Sequence, residues 1–233
     1  MSAFFLILPV FGWNAIPMQI KAAGTVLIAL FFGLISPFAV NASQISGAEA
    51  AILIANEAIY GMALGLAVTV VFSAVKLSGS IIEQQMGMSM AQVVDPLTGE
   101  EAESMGSMLE MIFIMLFLAA NGHHLFLLIV CRSYETFPVG TIPTVPVMAA
   151  GVIEAGSAMF LASLQLAAPV LAAFLVLLVV LAVLARIVPE MDILFISFPM
   201  RIGLGLLMVA VFMPFFNSFI NEFAEWMGKL LPL

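Results

Sequence analysis

The chain has 233 residues, of which 64% are hydrophobic and 9% are charged, with a net charge of −8. A soluble domain carries about 25% charged residues, and disordered chains are poor in apolar ones, so this composition belongs in a membrane or a large apolar assembly. The acidic balance and the absence of any Lys/Arg cluster exclude a nucleic-acid footprint, and Cys131 stands alone, so no intrachain disulfide can form.

The first twenty residues are uncharged, but Pro9, Gly12, Asn14 and Pro17 leave an apolar run too short to span a bilayer. Half a helix or a re-entrant segment is expected there, in a chain that starts inside a helix. Ala22 to Ala48 predicts a helix to about Val40, after which Asn41, Ser43, Ser46 and Gly47 bring turn chemistry. Ala58 to Val75 predicts the next, opening at Glu49. It carries Gly61-x-x-x-Gly65, with Val68 and Thr69 on the same face, a pattern that lets another backbone approach closely.

The stretch from Gln84 to Pro96 reads as neither a spanning helix nor a soluble loop. Met86, Met88 and Met90 alternate with small residues, Val93 and Val94 follow, and Pro96 to Gly99 predicts a turn. Thr98-Gly99-Glu100-Glu101 then has a capping-box pattern, which makes the acids first-turn residues of a new helix. Thioethers suit Cu(I), but no Cys or His stands near this run, and a deformable apolar seal is the better reading.

Met111 to Cys131 predicts a third long segment, interrupted by Asn121, His123 and His124. Adjacent histidines diverge by about 100° on a helix, so they cannot hold one metal from one face, and a polar pair buried between helices is expected instead. The uncharged, Pro-rich segment from Phe137 to Pro146 predicts an extended loop. Ala155 to Ala185 is the longest window. Pro189 to Pro199, with Glu190 and Asp192, predicts a turn, and Ile202 to Ile220 a last helix kinked at Pro214. If about six segments alternate, Lys21, Lys76, Arg186 and Arg201 share one face and Arg132 and Lys229 the other, which puts the N-terminus outside. The expected fold is all-α, one domain of membrane-type helical hairpins spanning residues 1–233, with a plug-like loop at about 84–96 and a Pro-rich loop at about 137–146.

The order of these features resembles the FliR/SctT family of the type III protein export gate. The residues that carry the likeness are Pro9-Val10-Phe11-Gly12, Ile16 to Lys21, Ser36-Pro37, Gly79 to Ala91 with Asp95-Pro96, Asn121-Gly122-His123, Ser133 with Phe137 to Gly140, Ala168-Pro169, Pro189 to Asp192 and Phe198 to Ile202. The family usually has about one more helical segment at the N-terminus, and where flagellar relatives often carry Phe in the loop this chain has Met90 and Val93.

The resemblance implies a non-enzymatic subunit without cofactors in the bacterial inner membrane, at the base of a flagellum or injectisome. Its implied partners are FliP-type and FliQ-type gate subunits, an FlhB-type switch subunit and unfolded export substrates. Met86, Met88, Met90, Val93 and Val94 are then plug candidates, and Gly61 and Gly65 assembly candidates. The alternative is a small secondary transporter using Lys76, Glu83 and the region of Asn121 and His123, since ionisable groups inside a membrane often mark a pathway. No inverted repeat supports it. A membrane enzyme built on His123 ranks last.

Overall fold

The computed structural model describes residues 2–8, 17–35, 46–88, 105–136, 145–190 and 193–230. They form helices α1 (Ser2–Ile7), α2 (Met18–Ile35), α3 (Gly47–Met86), α4 (Met105–Ala119), α5 (His123–Thr136), α6 (Val145–Ile187) and α7 (Ile193–Leu230). Among the described residues there is no strand. The expected all-α fold is therefore observed. Among the described residues, three helices are long and apolar enough to cross a membrane, Gly47–Met86, Met148–Ile187 and Phe195–Phe212, or four if α4 and α5 count as one broken span.

Local chemistry explains where these helices begin and end. At the start of α3, the Ser46 N–H and hydroxyl donate to the Glu49 carboxylate at 2.9 and 3.1 Å, and the Glu49 N–H faces the Ser46 Oγ at 3.4 Å. This is a reciprocal capping box at a position where the sequence suggested only a turn. The pattern at Thr98 to Glu101 lies outside the described residues. α3 closes at Gly87, whose φ of 79° is left-handed and whose N–H bonds the Gln84 carbonyl at 3.1 Å.

The segment expected to run from Met111 to Cys131 is instead broken at Asn121. Asn121 has φ 60°, tolerated because its short polar side chain suits the left-handed region, and its N–H reaches the Leu118 carbonyl at 3.0 Å. The His124 and Leu125 N–H groups then bond the Asn121 and Gly122 carbonyls, which restarts the helix.

Two boundaries differ from expectation. α6 opens at Val145 and takes in Pro146, because a first-turn proline removes only a donor that has no partner in the helix. α7 opens at Ile193 and includes Pro199, so most of the bracketed turn is helical. Pro199 is the seventh residue of α7, past the first turn, so it removes one i→i−4 hydrogen bond from the helix.

The chain divides into two compact units. The first holds residues 1–72, 118–159 and 222–233; its core includes Phe4, Leu8, Leu64, Val68, Phe72, Phe126 and Ile129. Phe72 and Phe126 lie with ring centroids 5.8 Å apart. The second holds residues 73–117 and 160–221; Val75, Ile82, Met86, Leu109, Phe113, Phe117, Ala167 and Val170 are buried there.

Along α3 the buried stripe runs through Tyr60, Leu64, Val68, Val71, Val75, Ile82 and Met86 at steps of three, four or seven. The opposite side is also apolar, with Met62 and Leu66 nearly half exposed. What separates the two faces is size. Gly61, Gly65, Ala67, Ala74, Ser78 and Gly79 all lie on the inner one, where they let neighbouring backbones close in.

Candidate functional site

The glycine face of α3 works inside the chain. A Cβ on Gly65 would lie 3.1 Å from Ile7 Cβ and 3.2 Å from the Phe4 carbonyl oxygen, so α1 rests directly on it. The Thr69 hydroxyl lies 2.8 Å from the Gly65 carbonyl and 3.1 Å from that of Ile7. Gly61 is buried one turn earlier and lines a cavity of about 10 Å³ with Phe4, Leu64, Val130 and a polar group of four. In that group the Ser133 hydroxyl donates to Tyr60 Oη at 3.0 Å, and the Tyr134 hydroxyl donates to Glu57 at 3.0 Å. These bonds tie α3 to α5 within the first unit. Sequence reading missed them because Ser133 and Tyr134 lie 73 and 77 residues from their partners.

In the second unit the same device recurs more tightly. A Cβ on Gly79 would sit 2.5 Å from the Gly106 Cα, and one on Gly106 would sit 2.8 Å from the Lys76 carbonyl oxygen. Neither glycine stood out in the sequence, since each lacks a second glycine four residues away.

Of the plug candidates, Met86 ends α3 and is fully buried, Met88 is half-buried just past the helix, and Met90, Val93 and Val94 lie outside the described residues. Gln84 and Gln85, expected in the loop, are in the last turn of α3. The Pro-rich loop lies outside the described residues up to residue 144.

Within the second unit, Lys76 and Glu83 do not converge. Glu83 is 4% exposed, whereas the Lys76 side chain is 57% exposed and lies 3.9 Å from Glu110. Asn121 and His123 are exposed in the isolated chain, where the helix break turns them outward, and the rings of His123 and His124 lie 4.3 Å apart. Among the described residues, no three His, Cys, Asp or Glu side chains are grouped to hold a metal ion.

Much of the exposed surface of α6 and α7 is apolar. Only 22% of the hydrophobic window of α6 and 11% of that of α7 are buried, against 56% for α3. Along α6 in the second unit, outward apolar side chains run from Phe160, 60% exposed, to Ile187, 70% exposed. At 1.5 Å per residue this run is about 40 Å long, whereas a bilayer's hydrocarbon core is about 30 Å thick.

The family model described as bacterial export proteins, family 1, matches residues 1–227. The flagellar biosynthetic protein FliR of Escherichia coli (strain K12) is 29% identical over 96% of this chain and 85% of its own length. That of Bacillus subtilis (strain 168) is 30% identical over 91% of this chain and 82% of its own, and that of Aquifex aeolicus (strain VF5) 24% identical over 96% and 86%. With the whole helical chain matched, from α1 into α7, this protein belongs to family 1 of the bacterial export proteins.

Proposed function

We propose that this chain is a core, non-enzymatic subunit of the flagellar type III protein export gate. It joins FliP-type and FliQ-type subunits in a helical conduit in the inner membrane at the flagellar base, next to an FlhB-type switch subunit. Unfolded flagellar proteins pass through that conduit. The observation that carries this reading is the family match over residues 1–227, together with FliR relatives covered over most of their length.

The apolar run on α6 supports the same reading. A bilayer covers about 30 Å of it, so the remaining 10 Å or so favours apolar protein partners. The segment after α3 is the proposed plug, with Met88, Met90, Val93 and Val94 forming a dewetted constriction that ions do not cross and a passing polypeptide displaces.

Gentle detergent extraction followed by native mass spectrometry tests the reading. The expected result is a complex that holds this chain with FliP-type and FliQ-type subunits, and a deletion strain that lacks flagellar filaments. Recovery of the chain alone from cells whose deletion mutant still builds filaments would overturn it.

A further inference from the structure

We infer that the turn of α6 around Gln165 is a helix-docking contact, and that its occupant is an apolar helix of another gate subunit carrying one Asn, Gln, Ser or Thr at the level of Gln165. The inference rests on the export-gate reading above and adds to it the chemistry of the partner on this face.

Between Leu164 and Ala185, Gln165 is the one polar side chain. It is exposed, on a surface shared with Phe160, Leu161 and Leu164, all more than half exposed. Ser163, two residues before it, is turned inward instead, fully buried with its hydroxyl donating to the Phe160 carbonyl at 2.8 Å.

Pro169 adds a second polar group at the same place. It lies inside α6 and has no N–H, so the Gln165 carbonyl lacks the donor that a helix normally brings from four residues on. Residue 169 is one turn along the helix and about 40° round it from residue 165. The carbonyl therefore opens on the side where Gln165 and Ala168 are exposed. One short patch thus presents an amide donor, an amide acceptor and a backbone acceptor, and Ala168 beside them carries only a methyl group, which lets another backbone come near.

These groups discriminate between occupants of the face. Lipid tails neither donate nor accept, and a carbonyl freed by proline is tolerated in a spanning helix when a neighbouring helix or an ordered water supplies the donor. A helix polar along its whole length would match this spot but set polar groups against the apolar side chains around it, from Phe160 to Leu178. An apolar helix with a single amide or hydroxyl fits both. Because the polar patch is alone in a long apolar run, it also fixes the register at which the two helices meet.

Photo-crosslinking in the assembled gate tests this. A benzophenone side chain at Leu161, one turn before Gln165 on the same exposed face, is expected to form an adduct with a helix of a FliP-type or FliQ-type subunit. Gln165→Leu should lower the yield of that adduct roughly three- to tenfold, and Gln165→Asn should restore part of it. The leucine variant changes an exposed position and makes the helix more apolar, so a lost adduct does not report a lost fold. Adducts with lipid alone, no adduct at all, or a protein adduct that Gln165→Leu leaves undiminished would overturn the docking contact and leave the gate reading in place. A Gln165-dependent adduct with a helix of a different protein, from membranes in which this chain does not co-purify with FliP-type or FliQ-type subunits, keeps the contact and removes the gate reading instead.

Discussion

Gly79 of α3 and Gly106 of α4 meet backbone to backbone, so closely that a Cβ on the first would lie 2.5 Å from the Cα of the second. Neither partner is a flexible side-chain tip that could swing aside. Gly79→Ala is therefore expected to force the two helices apart, at the overpacking cost of about 1–3 kcal/mol or more, and to lower the thermal stability of the purified gate complex. Gly47→Ala is the control. Nothing lies within 4 Å of that site, so it should leave the melting temperature unchanged or slightly raised. Equal melting temperatures for Gly79→Ala and Gly47→Ala would show that the α3–α4 crossing has slack.

The Ser133 and Tyr60 hydroxyls form the buried polar link of the first unit, with Ser133 3% and Tyr60 8% exposed. Removing either hydroxyl breaks this buried bond, and the expected loss for Tyr60→Phe or Ser133→Ala is about 1–2 kcal/mol. Replacing both should cost less than the sum of the two, because the shared bond is lost only once. Thermal unfolding of the four-member cycle measures that coupling, and strict additivity would mean that the hydrogen bond contributes nothing.

Much of the architecture was legible in the chain because long uncharged windows and proline and glycine punctuation are strong signals. The polar interruption at Asn121, where the structure breaks the helix, and the kink-prone Pro214 within α7 came from residue type alone. Which side of α3 faces inward was not legible from hydropathy, since Met62 and Leu66 on the outside are as apolar as Leu64 and Val68 on the inside. Small residues decided it, and of these only Gly61 and Gly65 formed a recognisable pattern. The prolines at 146 and 199 misled in the other direction. Pro146 sits in the first turn of α6, where no donor is needed, whereas Pro199 lies inside α7 at the expense of one backbone hydrogen bond. The roles of Lys76, Glu83 and Met86 depended on helices distant in the chain, which periodicity alone cannot assign.

Lys76 decides between the export-gate reading and a transporter. A proton or substrate path through this region needs Lys76 and Glu83 to face a common space. Instead Glu83 is on the buried side of α3, while Lys76 is mostly exposed and reaches Glu110 at 3.9 Å. An ion pair this long and this open to solvent is worth about 0–1 kcal/mol. Lys76→Gln and Glu110→Gln are accordingly expected to leave gate assembly intact and swimming motility within about twofold of wild type, with the exchange Lys76→Glu/Glu110→Lys no worse than either. Swimming halos in soft agar, read beside the abundance of the intact complex, give the answer. Loss of motility in Lys76→Gln with a fully assembled gate would mean that the charge itself takes part in transport.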